Sequence, residues 1–358
     1  MPTIYDPSKP TLILVNSFTT SAELYRQQFE NEELNRVMNL VAIEPLGHGR
    51  TTTKIENWTY WDTAIANIQT MDALSIENAF VLGTSQGGWL TIRMALFAPN
   101  RIQGVIPLGT SMDYESERTR SLGCWDASAA LSQIIRQSTA DPKFLTEDFE
   151  PDDEYCNLLV NIGFNDCSHD IREFWIKTIK ETYRGDEGRR RIRMAAINLR
   201  ERDGLHGRLS DVRCPILWLH GTSDAVYSLS NAKEEIKLFV NAASKELVTV
   251  EGGAHFLSAT HPNEHQLSDL ALAKTLRNLE KDDAKKVLRS GSFASPWEKF
   301  NIRNRGETLK LKNIGSGSFP RNFAEYVMGR TANSLGFTRK QLLYKIEEQS
   351  PYTDQADE

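Results

Sequence analysis

Three residue types, far apart in the chain, have the makings of nucleophilic catalysis. Ser85 sits between two glycines in Gly83-Thr84-Ser85-Gln86-Gly87. Asp224 closes His220-Gly221-Thr222-Ser223-Asp224, and His255 lies in Glu251-Gly252-Gly253-Ala254-His255-Phe256. A serine hydroxyl is a weak nucleophile until a histidine within hydrogen-bond reach takes its proton and a carboxylate orients that histidine. The Gly-x-Ser-x-Gly spacing decides little alone, since a chain of this length and composition matches it by accident roughly one time in ten. The plain alternative is a small residue in a tight turn. Asp113 rivals Asp224 as the acid. Of the remaining histidines, His48 and His220 belong to glycine turns, and His261 precedes Pro262. His169, His206 and His265 lie in polar contexts and read as solvated. None shows metal-ligand spacing. Cys124, Cys156, Cys167 and Cys214 form no CxxC pair, so they read as structural and no metal or cofactor is expected.

The elements that must position these residues follow from hydrophobic patterning. Thr11–Val15, Asn39–Ile43, Ala79–Leu82 and Gly104–Leu108 are short apolar runs bounded by turns, as buried parallel strands require. Tyr60–Leu74 has helical spacing, and a second helix runs from about Gly88 to Phe97, before Pro99. Strands resume at Pro215–Leu219 and Glu246–Val250, followed by a helix from about Glu264 to Leu279. Strands alternating with helices predict an α/β fold, with a mostly parallel central sheet and helices on both faces. Ser85, Asp224 and His255 each follow a strand, so all three belong at the sheet's carboxyl edge. The glycines beside Ser85 permit the close approach that a sharp strand-turn-helix needs.

Residues 112–212 interrupt this rhythm with a strand-poor, helical stretch, which reads as a lid over the carboxyl edge, where ligands of open α/β sheets bind. The expected division is a core of residues 1–111 and 213–281, a lid of 112–212 and a C-terminal extension of 282–358. Trp125 and Trp175 in the lid, with Trp89 beside the serine turn, are candidate pocket walls; ordinary core packing is the alternative. Trp58, Trp61 and Trp218 read as core. The run Arg189–Arg193 has the charge to meet a substrate carboxylate but reads first as a solvated helix face. A net charge of −6 speaks against nucleic acid or an anionic membrane as partner, and no apolar run is long enough to span a bilayer. With no leader pattern in Met1–Pro7, a cytoplasmic protein acting on a small molecule is expected.

Over about residues 10–280 the chain resembles the α/β-hydrolase superfamily. Besides Gly83–Gly87, the likeness rests on Glu44-Pro45-Leu46-Gly47-His48-Gly49-Arg50-Thr51, similar to that family's acidic-x-x-Gly-x-Gly turn. It also rests on Ala98-Pro99-Asn100-Arg101-Ile102, similar to a family helix end, and the wording looks most like small hydrolases of fungal genomes. The resemblance implies Ser85 as nucleophile, His255 as general base and then acid, Asp224 as its orienting carboxylate, and no cofactor. It implies an oxyanion hole from the backbone N–H groups of Phe18 and Gln86. Here the chain departs from the family, reading Val15-Asn16-Ser17-Phe18 where His-Gly-x is usual, so a stiffer loop is expected. Little room precedes the first strand for the family's opening antiparallel pair. A serine argues against relatives with an aspartate nucleophile. The activity implied is hydrolysis of an ester, thioester or lactone of a small, largely apolar molecule, with secondary metabolism as the expected setting. An acyltransferase, or a non-catalytic small-molecule binding protein on the same fold, is the alternative.

Overall fold

Leucine-rich and β-branched runs form six strands: β1 (Thr11–Val15), β2 (Asn39–Ala42), β3 (Ala79–Thr84), β4 (Ile102–Leu108), β5 (Ile216–Gly221) and β6 (Lys245–Val250). The computed structural model describes residues 5–55, 57–139 and 146–261. The expected helix Glu264–Leu279 and the extension 282–358 lie outside them. Helices α1 (Arg26–Glu30) and α2 (Glu32–Val37) follow β1, α3 (Tyr60–Ala73) follows β2, and α4 (Gln86–Phe97) follows β3. Between β4 and β5 come α5 (Glu117–Ser121), α6 (Ala127–Gln137), α7 (Asp153–Phe164), α8 (His169–Thr182) and α9 (Gly185–Arg200). Helices α10 (Leu229–Glu235) and α11 (Leu257–Thr260) follow β5 and β6.

The six strands pair in the order β2-β1-β3-β4-β5-β6, every pair parallel. This is the α/β-hydrolase fold, with a sheet covered on both faces. Alternation along each strand divides the core: Ile13, Val15, Val81 and Trp218 join one cluster, Leu12, Leu14, Leu82 and Leu219 the other. All are buried, and each such aliphatic side chain contributes about 1.5–3 kcal/mol over an exposed one. Helices α3 and α4 cover the first face through Ile68, Met71 and Leu90. Leu24 and Leu34, with Val160 and Phe164 of α7, cover the second.

The chain leaves β1 toward β2 and then crosses to β3 on the other side, so the order reverses between β1 and β3. Loops after strands on either side of such a reversal diverge, opening a crevice at the carboxyl edge. Register brings Val15 beside Gly83, and Thr84 beside Leu108, so the segments Asn16–Phe18 and Ser85–Gly87 emerge side by side there.

The helical stretch between β4 and β5 shares the core. Ile134, Tyr155, Tyr183 and Ile192 belong to the same buried cluster as the sheet. In the run Arg189–Arg193, expected as a solvated helix face, Arg189 and Arg191 turn inward. Arg189 donates to Ser138 O at 2.6 Å and Arg191 to Gly49 O at 3.2 Å, because half-buried carbonyls from distant segments face α9. His206 is likewise half-buried rather than solvated, its Nε2 lying 2.7 Å from Glu235 Oε1. Among the described residues no helix is long and apolar enough to cross a membrane.

Candidate active site

Ser85 occupies the single residue between β3 and α4, at φ 55° and ψ −116°. A non-glycine residue in that conformation is strained and persists only where its surroundings over-determine it. Here Ser85 N donates to Leu108 O at 2.8 Å, and Thr110 Oγ1 donates to Ser85 O at 2.8 Å. The flanking glycines answer a steric demand. A Cβ on Gly83 would lie 2.1 Å from Gly87 O, and one on Gly87 2.0 Å from Val15 O. Only without those atoms does the helix start close enough to turn the serine outward. The expected helix start near Gly88 moves back to Gln86, making Ser85 the N-cap residue.

The loops after β5 and β6 bring the other two residues to this turn. Thr222 N donates to Val250 O at 2.9 Å and Ser223 N to Gly253 O at 3.0 Å, so the loops are laced together. His255 Nε2 lies 2.9 Å from Ser85 Oγ. Its Nδ1 lies 3.0 Å from both Asp224 oxygens. A carboxylate facing Nδ1 places the ring proton there and leaves the Nε2 lone pair for the serine proton. Burial opposes ionisation of Asp224, but His255 and His220 beside it and the Tyr227 N–H outweigh burial, and the pKa falls below its ordinary value. Ser85 and His255 are only 5% and 3% exposed, so the cluster is nearly dry and its electrostatic interactions are strong. Asp113 stands elsewhere: its carboxylate accepts from Ser116 Oγ at 3.0 Å and lies 3.7 Å from His206 Nδ1.

Phe18 lies three residues beyond Val15, which pairs with Gly83, and Gln86 directly follows Ser85. Gln86 is the first residue of α4, so its N–H has no acceptor within the helix, and the positive end of the helix dipole lies there. In the other loop, Asn16 Nδ2 donates to Ser17 O at 3.1 Å and Thr20 O at 2.9 Å. Thr19 adopts φ 54°, with its hydroxyl donating to Phe18 O at 2.8 Å. Side-chain hydrogen bonds thus shape the loop that lacks the family's glycine, and a threonine takes the left-handed conformation within it.

The tryptophans expected to wall a pocket each have packing or hydrogen-bond partners within the fold. Trp89 is 1% exposed, stacked on Tyr60 at 5.9 Å, with the Arg202 guanidinium 3.6 Å from its ring centroid. Helix α4 is buried along its length, so even a side chain near the serine points into core. Trp175 packs between Phe164 and Phe174. Trp125 donates from Nε1 to Glu115 Oε1 at 3.0 Å, as a half-buried brace. A cavity of about 430 Å³ lies between the Glu44–Arg50 turn and α8, lined also by Arg26 and Arg191; Ser85, Asp224 and His255 do not line it.

Two residue sets escaped the sequence reading. Tyr227 packs its ring 5.7 Å from His255, and its hydroxyl joins Arg202 on Glu115. The end of helix α7 docks on both loops: Phe256 N donates to Gly163 O at 2.8 Å, and Asn165 Nδ2 to Ser223 O at 3.1 Å. Neither set carries a local signal, because both depend on segments that only the fold brings together. Among the described residues, no His, Cys, Asp or Glu side chains group in threes as metal ligands.

Comparison with known proteins agrees with this architecture. The family model described as alpha/beta hydrolase fold matches residues 10–135. No curated protein matches the chain. Among solved structures, a hydrolase from Pseudomonas aeruginosa superposes with TM-score 0.57 at 22% identity, covering 74% of this chain and 91% of its own. A thermophilic esterase from Thermogutta terrifontis does so with TM-score 0.58 at 17% identity, covering 77% and 92%. An enol-lactonase from Burkholderia xenovorans gives TM-score 0.57 at 16% identity, again covering 77% and 92%. At these identities the likeness is one of fold.

Proposed function

We propose that the chain is a serine hydrolase that cleaves an ester, thioester or lactone of a small, largely apolar molecule through an acyl-enzyme. The observation that carries this reading is the unbroken hydrogen-bond line from Ser85 Oγ through His255, at 2.9 Å from Nε2 and 3.0 Å from Nδ1, to Asp224. Ser85 Oγ bonds to the substrate carbonyl carbon as its proton passes to His255 Nε2, and the carbonyl π electrons move onto oxygen. The amides of Phe18 and Gln86 receive that oxyanion. When the tetrahedral intermediate collapses, the carbon–oxygen or carbon–sulfur bond to the leaving group breaks, and the leaving group takes the proton from Nε2. Water then repeats the sequence on the acyl-enzyme, losing its proton to His255, and frees the acid and Ser85. The helical stretch 112–212 acts as the lid, with α7 pinned to the histidine loop. The apolar character of the substrate is read from the aromatic rings beside the base, Tyr227 and Phe256, whose centroids lie 5.7 and 5.3 Å from that of His255.

Incubation of the full chain with a fluorophosphonate tests the reading. Covalent labelling is expected for the wild type and its loss in Ser85→Ala, together with turnover of p-nitrophenyl esters that the variant lacks. A folded wild type that neither labels nor turns over such esters overturns the proposal.

A further inference from the structure

The residue after Ser85 is tied at both ends of its side chain. Gln86 is wholly buried, so each polar atom of its amide needs a partner. Tyr60 OH donates to Gln86 Oε1 at 3.1 Å, and Gln86 Nε2 lies 2.9 Å from His48 Nε2. His48 Nδ1 in turn lies 3.0 Å from Leu46 O. A carbonyl can only accept, so Nδ1 carries the ring proton and Nε2 presents a lone pair. The direction of every bond follows: Tyr60 donates to Gln86, Gln86 to His48, and His48 to Leu46. A protonated His48 would have no lone pair to offer. Burial, partly opposed by the bond to Leu46, pushes its pKa down to about 4, so the ring is neutral at physiological pH.

The turn that holds His48 is itself rigid. Glu44 accepts from Arg50 N at 2.7 Å and from Ala22 N at 2.9 Å, joining the turn to the segment that follows Phe18. Thr51 N donates to His48 O at 2.8 Å, and Gly49 O takes the Arg191 bond from α9. The edge of the Phe18–His48 ring pair closes at 6.1 Å between centroids. One imidazole therefore touches both residues proposed for the oxyanion hole.

We propose that His48 is a positioning residue for the oxyanion hole: as a neutral acceptor for the Gln86 side chain, it fixes the Gln86 N–H that receives the developing charge. The inference rests on the serine-hydrolase reading. At the first position of α4 the Gln86 N–H has no intrahelical bond to hold it, so the side-chain tie anchors this peptide. An apolar residue of similar size would fill the space at 48 yet leave Gln86 Nε2 buried without an acceptor. The amide would then swing to find one and carry the backbone with it. A displacement of a fraction of an ångström in a group aimed at the transition state lowers kcat and leaves substrate binding nearly untouched.

The test compares His48→Leu, His48→Gln and Gln86→Leu on a p-nitrophenyl ester in the full-length chain. Rates are normalised to active sites titrated with a fluorophosphonate, so that unfolded protein is not counted. His48→Leu is expected to lower kcat at least about tenfold with KM within about twofold. His48→Gln, whose carbonyl can accept from Gln86, is expected to recover most of that loss. The double variant His48→Leu/Gln86→Leu is expected to be no worse than the poorer single variant, because both remove the same link. An NMR spectrum of the wild type gives an arm independent of folding in the variants. Neutral His48 with its proton on Nδ1 supports the relay, and a proton on Nε2 overturns it. A labelled, active wild type whose His48→Leu variant matches it in kcat, or whose two single losses simply add, overturns the His48 role alone. A wild type inert to the probe overturns the hydrolase reading, and this inference with it.

Discussion

Replacing Asp224 by asparagine is the sharpest test of which carboxylate orients His255. In the proposed acyl transfer His255 becomes an imidazolium that is only 3% exposed, with both Asp224 oxygens 3.0 Å from Nδ1. Unit charges at that separation attract by about 5.5 kcal/mol at an effective dielectric of ~20. At about 1.36 kcal/mol per decade, that is about four decades in rate. Geometry makes the asparagine worse than merely neutral. Oδ1 of Asp224 also accepts from Val226 N at 2.8 Å and Tyr227 N at 3.0 Å. An asparagine would keep its carbonyl on those amides and turn its NH₂ toward His255 Nδ1. The ring would then hold its proton on Nε2, pointing at Ser85, in the tautomer that cannot act as a base. Asp224→Asn should therefore lower kcat/KM for an activated ester by about four decades while the fold is retained. Asp113→Asn should stay within about threefold of wild type, because Asp113 bonds to Ser116 and not to His255. Steady-state kinetics over a range of pH, with thermal melts of both variants, reads the difference. If Asp224→Asn keeps a tenth of wild-type kcat/KM, the electrostatic argument fails. If Asp113→Asn alone collapses, the carboxylate is misassigned.

Gly163→Ala should cut ester turnover at least about tenfold, since its Cβ would meet the Phe256 ring at 2.2 Å and push α7 off the histidine loop; unchanged kcat/KM would show that this contact is not needed. Glu115→Gln removes the charge opposite buried Arg202, 2.7 Å away, and should destabilise the protein by about 3 kcal/mol in urea titrations; an unshifted midpoint would contradict this. His206 has its pKa raised by the hydrogen bond to Glu235, with Asp113 adding to the effect. Its contribution to stability is therefore fully present below the unfolded value near 6.5 and fades as pH rises through the raised folded value. His206→Gln should lower the urea midpoint clearly at about pH 5.5 and much less at about pH 9; an equal loss at both would sink the linkage.

What could be read from the sequence was whatever depends on a residue and its immediate neighbours. The strands were visible because both faces of the sheet are covered, which makes Thr11–Val15 a continuous apolar run. Ser85 stood out because its turn tolerates only glycine on either side, a demand written within five residues. Asp224 and His255 stood out because each follows a strand, and parallel strands deliver their loops to one edge. Trp89 shows where that reasoning stops. Proximity to Ser85 along the chain suggested a pocket wall, but α4 turns the side chain toward α3 and Tyr60.

The relay at Gln86 was hidden for the same reason at longer range. Its partners lie at 48 and 60, with nothing local marking a buried hydrogen bond, and a histidine between two glycines looks like turn punctuation. The Arg189 and Arg191 side chains were misread because their acceptors, Ser138 O and Gly49 O, lie 51 and 142 residues away. Local patterns report backbone conformation and burial, which neighbouring residues largely decide. Polar satisfaction in the interior is a property of the assembled fold, and the residues that hold a reacting group in place belong to it. A sequence can thus point to a candidate nucleophile before it points to the groups that hold the turn around it. Here the groups that hold the Gln86 side chain are an imidazole and a phenol, and neither an apolar nor a cationic side chain could take the acceptor role of His48.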